Sequence, residues 1–416
     1  MLGGWHFTLP PSVLPDISPT RGEISSFLPP DPFTTFEIGE SWVVDRSPPL
    51  WGRCPAGQRG ARRNAALRMV RAIAVCMAAI FSLPAYAAPS DAAIMADKPP
   101  RLLSEFGFFD DARAQAPTEG VVPFEPHTAL FSDGALKQRF VYVPEGKAAR
   151  YDAEEAFEFP VGSALIKSFA FPADFSRPDE KVRLIETRVM LRHEDGWQSW
   201  AYLWNEEQSE AELKIAGARV EIATTDESGA PISFTYSVPN KNQCKGCHQL
   251  VGEIVPLGPK ARNLNFEFEY DDGPANQLQR WRDAGMLEGL PEDVAAIDAV
   301  PDWRDESADL DARARAWLDV NCAHCHRRDG PASNSGLYLT WGETLGPALG
   351  INKRPVAAGR GSGGRLFDIA PGDPDGSILN YRVESVEPGV MMPELGRARE
   401  DAAAATLLRK WVSSLR

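Results

Sequence analysis

The chain has no apolar run long enough to span a membrane. A transmembrane helix needs roughly 18 or more predominantly apolar residues, and the one approach to this, residues 73–88, has Arg71 at its edge and Pro84 near its end. Cysteine is scarce as well: there are six in 416 residues. Cys54 and Cys76 lie far upstream, and the other four fall into two sets that leave none over for a structural disulfide. The glycine-rich stretch 359–364 is not followed by Gly-Lys-Ser/Thr, which excludes a phosphate loop. There is also no dinucleotide fingerprint and no Ser-His-Asp arrangement. Glu154-Glu155 and Asp271-Asp272 are sequence neighbours that point to opposite faces of a strand, so they are expected to be solvated rather than paired for acid-base work. Basic charge is in deficit, with 44 Lys and Arg against 58 Asp and Glu and a net charge of −14. Such a field disfavours nucleic acid and anionic membrane surfaces as partners and favours a basic or patch-basic protein.

The apolar stretch reads as a signal peptide. Arg62, Arg63, Arg68 and Arg71 form a positive lead, residues 73–83 an apolar run, and Ala85-Tyr86-Ala87 a small-x-small cleavage pattern. Met69 stands just before it, so residues 69–87 are expected to be the signal. Residues 1–68 are then an over-long start or a disordered extension. Removing residues 1–87 takes away eight arginines and six acidic residues, which brings the net charge to −16. The expected product is a periplasmic protein with no membrane span in the mature chain.

What is present is concentrated in two motifs, Cys244-Lys245-Gly246-Cys247-His248 and Cys322-Ala323-His324-Cys325-His326. Covalent haem requires this spacing: two thiols add to the two vinyl groups on one porphyrin edge, and the adjacent histidine places its imidazole on the iron. The reading is two covalently bound haem c groups, attached through Cys244, Cys247, Cys322 and Cys325, with His248 and His326 as iron ligands. A lone copy could also be half a zinc site or a thioredoxin-like pair. Two copies behind an export signal argue against both, and the 78 residues from Cys244 to Cys322 exceed zinc-ribbon spacing. His324 is expected to be exposed rather than ligating.

Periodicity divides the rest into an α+β multidomain chain: an antiparallel β-rich domain (88–240), a first haem-binding segment (241–300) and a mainly α domain (301–416). Residues 183–192 alternate, with Ile185, Thr187, Val189 and Leu191 on one face. The turn His193-Glu194-Asp195-Gly196 and the aromatic run 197–204 complete a hairpin. Residues 139–143, 156–159, 164–171 and 232–238 are further strand candidates. Trp197, Trp200 and Trp204 read as sheet and core packing. Leu310, Ala314, Trp317 and Leu318 recur at helical spacing and lead into Cys322, and residues 404–415 form an amphipathic terminal helix.

Helix, haem motif, loops, Met-Pro and helix is the order of a class I cytochrome c. Pro371-Gly372-Asp373-Pro374-Asp375-Gly376-Ser377 with Met392-Pro393-Glu394-Leu395-Gly396 resembles the distal-side pattern of that family over residues 305–416. The resemblance implies Met392 as sixth iron ligand, with Met391 as its competitor. The chain also resembles a family of dihaem c-type cytochromes with a β-rich N-terminal half. Phe131-Ser132-Asp133, Phe159-Pro160-Val161-Gly162, Glu186-Thr187-Arg188, Trp204-Asn205 with Gln208, residues 243–248, Pro256-Leu257-Gly258-Pro259-Lys260 and Asn276-Gln277-Leu278 carry this likeness. It implies an architecture and no particular reaction. For the first haem the sixth ligand stays open: Met286 is the local methionine, and His127, His193 and Met190 are alternatives that read more simply as a turn histidine or packed side chains. Electron transfer is the leading expectation. A haem enzyme with an open first iron (a dihaem peroxidase or a dehydrogenase subunit) and a ligand-sensing module are the alternatives.

Overall fold

The computed structural model describes residues 88–416. The expected signal peptide, the segment before it, Cys54 and Cys76 lie outside the described residues. Among the described residues no helix is long and apolar enough to cross a membrane.

The fold is mixed α and β, with few helices around a large antiparallel sheet. Six strands follow one another in chain order across it: β1 (Val121–Pro123), β2 (Leu136–Tyr142), β3 (Ala164–Phe171), β4 (Arg183–His193), β5 (Gly196–Trp204) and β6 (Ala211–Leu213). β4 and β5 form the expected hairpin, closed where His193 pairs with Gly196, whose φ of 122° suits glycine. A separate hairpin, β7 (Ala218–Thr225) and β8 (Pro231–Val238), covers one end of the sheet. β7 was not among the strand candidates, although Val220, Ile222 and Thr224 alternate along it. Residues 156–159 form only isolated bridges, Arg150 to Glu158 and Ala156 to Lys260. Phe157 and Phe159 are buried as alternation implies, but Pro160 has no N–H with which to extend a ladder.

Period-2 alternation gives the sheet two different faces. On the outer one, Phe140, Ile166, Val189, Trp200, Tyr202 and Trp204 pack against the N-terminal residues Ile94, Leu103, Phe106 and Phe108. The register shift between Phe169 and Ala170, opposite Glu186 and Leu184, turns Ile185 onto the inner face, away from Thr187, Val189 and Leu191. His193 is not a surface turn residue. It is buried, and its Nε2 contacts the Ile94 carbonyl at 2.8 Å.

The α-rich part contributes α1 (Lys241–His248), α2 (Gln277–Asp283), α3 (Leu310–Asn321), α4 (Ile378–Glu384) and α5 (Ala402–Ser414). Asp309 caps α3, accepting from Ala312 N at 3.0 Å, and Asp401 caps α5, accepting from Ala404 N at 3.1 Å. α3 and α5 bury Ala314, Trp317, Leu318, Leu407, Leu408 and Trp411 in a common core.

The three expected segments interlock. Ala149–Arg150 pairs in parallel with Leu287–Glu288. The connection between β1 and β2 collects hydrogen bonds from everything downstream. His127 N donates to Asn263 O at 2.8 Å and Thr128 Oγ1 to Pro301 O at 2.8 Å. Phe131 N donates to Asn321 Oδ1 at 2.7 Å. Arg262, after the first motif, meets Asp319, just before the second, at 3.0 Å, and both side chains are almost fully buried. Asp319→Ala is therefore expected to lower unfolding stability by about 3–5 kcal/mol, because it leaves a guanidinium buried without its partner. Arg262→Met with Asp319→Leu should recover most of the loss. Chemical denaturation checks both, and a near-neutral single variant would refute the role.

Candidate functional site

Local sequence accounts for how each Cys-x-x-Cys-His set is shaped. α1 starts with a capping box: Asn240 Oδ1 accepts from Gln243 N at 2.9 Å and Gln243 Oε1 accepts from Asn240 N at 3.0 Å. The helix then runs through the whole motif, so Cys244, Cys247 and His248, at i, i+3 and i+4, lie on one face. The second motif begins where α3 ends. Cys322 is the C-cap, and Cys325 N and His326 N donate back to Cys322 O at 3.1 and 2.9 Å, making one tight turn. All four cysteines are free thiols, Cys244 and Cys322 buried.

Each motif histidine has its Nδ1 engaged. His248 Nδ1 faces the Val255 carbonyl at 2.8 Å, an acceptor only, so Nδ1 carries the hydrogen and Nε2 is left with its lone pair. His326 Nδ1 lies 3.3 Å from Ser335 Oγ. Neither Nε2 has a hydrogen-bond partner among the described residues. Burial lowers both imidazoles to about 4 and so keeps them neutral, the form that ligates a metal. Burial raises the thiols, Cys322 to about 12 and Cys325 to about 11. Two thiols one helical turn apart beside an imidazole whose Nδ1 is tied and whose Nε2 is free are the donor set that covalent haem requires. Among the described residues no three His, Cys, Asp or Glu converge on a metal-ion position.

The two motifs face each other. Cys247 lies within electrostatic range of Cys325, and His324 within range of both His248 and His326. Cys247, Pro256, Leu257, Lys260, Asp319 and His324 line the cleft between them. His324 is thus half-buried in that cleft and not on the surface, and its Nδ1 has no hydrogen-bond partner. Glu155 is not merely solvated: it bridges Arg327 at 2.7 Å and Lys260 at 3.5 Å at the cleft edge. Glu154 and Asp272 have partners as well, Arg262 at 3.5 Å and Arg280 at 2.9 Å.

The Met-Pro loop comes to the same place. Met392 N donates to the carbonyl of Arg382, the guanidinium that acts on His326, and Glu394 acts on Cys325. A Cβ on Gly246 would stand 3.9 Å from Leu395 Cδ1, so the loop passes close to the first motif as well. Met391 and Met392 are both half-buried. Met286 is placed differently. It packs with Trp281, Leu287, Phe124 and Met190 in an apolar core that contains no residue of the first motif. His127 is engaged with the Val300 carbonyl at 2.7 Å and stacks on Phe266.

Comparison with protein families, curated proteins and solved structures finds no match to this chain. The site therefore stands on its own geometry.

The trailing end of the Met-Pro loop is clamped by Asp133, whose Oδ1 accepts from Ala398 N at 2.6 Å and Arg399 N at 2.8 Å. Asp133→Ala leaves two N–H groups without an acceptor and should cost about 1–3 kcal/mol. It should also open Arg397 and Arg399 to trypsin, while Asp133→Asn, which keeps one amide oxygen, stays close to the parent. An alanine variant as protease-resistant as the parent would exclude the clamp.

Proposed function

We propose that the chain is an exported dihaem c-type cytochrome acting in periplasmic electron transfer. The observation that carries this reading is that two Cys-x-x-Cys-His motifs, 78 residues apart, are brought to one cleft. Each presents paired thiols and an imidazole with a free Nε2. When bound, haem supplies a one-electron ferric/ferrous couple. Cys244, Cys247, Cys322 and Cys325 would supply the four thiols that add to the vinyl groups, and His248 and His326 would supply the imidazoles that ligate the irons. Met392 would supply a thioether sulfur to the iron that His326 ligates. The order of α3, second motif, Met392 loop and α5, with α3 and α5 sharing one core, supports a class I cytochrome c-like module for residues 301–416. The acidic body suits a basic or patch-basic redox protein as partner.

One observation favours a second reading, a haem enzyme. Met286 belongs to a core that includes nothing of the first motif, so the iron beside His248 would lack that thioether and could bind a small substrate. Carbon monoxide and the reduced protein separate the two readings. Tight binding at one haem per chain, unchanged in Met286→Ala, favours the enzyme, and no binding favours the shuttle.

Two measurements test the main reading. The mature protein should show the mass of two haems after acid-acetone extraction, and Cys244→Ala with Cys247→Ala should lose one; a zinc adduct or no adduct would sink the proposal. Met392→Ala should abolish the weak far-red band of a methionine-ligated ferric haem, and its persistence would move the ligand to Met391 or elsewhere.

A further inference from the structure

Three cross-strand rows traverse the inner face of the sheet. One is mainly apolar: Val141, Leu165 and Met190, followed by Ser199. Another sets Lys137, Phe169, Glu186 and Leu203 side by side. Between them Arg139, Lys167 and Arg188 stand directly opposite one another on β2, β3 and β4. Like charges in directly opposed positions destabilise a sheet, and burial multiplies the cost of any charge left unpaired.

Only part of this charge is matched within the chain. Arg188 is paired at 2.5 Å with Glu186, which is fully buried and also accepts from Tyr236 Oη at 2.5 Å. Arg139 has Glu125 at 3.9 Å, and that carboxylate is half exposed. Lys137 donates to the Leu130 carbonyl. The nearby Asp401 is already committed to Ala404 N and Trp317 Nε1. Lys167 has neither a hydrogen bond nor an ion pair with any described residue; its Nζ stands 4.9 Å from the centroid of the Phe169 ring. Burial, then Arg139, Lys137 and Arg188, push its ammonium well below the ordinary lysine range.

This belt faces the first motif. α1 packs on β5, the strand next to β4, and Lys167 and Arg188 lie near enough to His248, and Arg188 to Cys244 and Cys247, to bear on them electrostatically. An arrangement that repels itself and leaves lysines unpaired beside an attachment motif is complete only with anionic groups, and a haem brings two carboxylates on its propionates. We propose that Lys137, Arg139, Lys167 and Arg188 form the carboxylate seat for the haem carried by Cys244, Cys247 and His248. The proposal rests on the dihaem reading above. It gives the β domain a role: it closes the haem site and sets the potential of that one iron, because a cation on a propionate removes negative charge that favours the ferric state.

The test uses the full-length, haem-loaded protein, with haem counted by mass. Lys167→Met should lower the midpoint potential of one haem and leave the other in place, and should shift the propionate bending band in the resonance Raman spectrum. Lys167→Arg should restore both. Should Lys167→Met not accumulate, Lys137→Met and Lys137→Arg make the same comparison. Two haems by mass with unmoved potentials and an unmoved band would overturn the seat while leaving the dihaem reading intact. A parent without haem would remove both. Added nitrite that perturbs the parent spectrum but not that of Lys167→Met, with the propionate band unmoved, would overturn the proposal in favour of a site for free oxyanions.

Discussion

The buried Arg262–Asp319 pair is the constraint on which the two-motif cleft depends. Arg262 follows the first motif by fourteen residues and Asp319 precedes the second by three. Each motif is locally shaped by its own helix, so nothing in either one specifies how it meets the other. The ion pair does, and it is not isolated. Asp319 Oδ1 also accepts from Trp341 N at 3.0 Å, and Arg262 Nη1 donates to the Glu154 carbonyl at 2.7 Å. The satisfied lone pairs and protons are what make a buried pair tolerable, and directional bonding to backbone on both sides fixes its position. Glu155 repeats the device at the cleft edge with Arg327 and Lys260.

The sheet shows a different use of charge. Arg188 and Glu186, like Lys353 and Asp368 at 2.8 Å, are balanced within the chain. Lys167 is not, and its row adjoins the one that ends at Ser199, beside Cys244. A self-repelling buried row is relieved either by loss of a proton from its lysine or by a counter-charge from outside the polypeptide, and the proposed seat takes the second course. The distinction between balanced and unbalanced buried charge is what sets the proposed seat apart from the structural ion pairs, without appeal to any relative of the chain.

Much of this was legible in sequence because the signals were local. The β4–β5 hairpin, β3, β8, α3 and α5 follow from alternation or 3.6-residue spacing, and the motif residues from thiol spacing alone. What escaped depended on contacts distant in the chain. A one-residue bulge opposite Phe169 and Ala170 reversed Ile185, and Pro160 denied residues 156–159 a ladder. His324 was taken for a surface residue because its burial comes from Pro256, Leu257 and Lys260, more than sixty residues away. The cationic row had a visible trace, since Arg139, Lys167 and Arg188 each interrupt an otherwise apolar strand face. Only the register, however, places the three side by side.

The same charges bear on how the molecule meets a partner. The chain is acidic as a whole, yet four cations are gathered inward on one sheet face, and the half-exposed Glu125 and the exposed Glu154 lie toward solvent. Sequestering basic residues inside makes the outer surface more acidic than the net charge of −14 alone implies. Long-range steering depends on the outward field and is screened over about 8–10 Å at physiological salt. The inner row is shielded from that competition and can hold carboxylates at short range. On the proposed reading one composition serves two ends: an acidic exterior suited to a basic partner, and a basic interior set against the first motif.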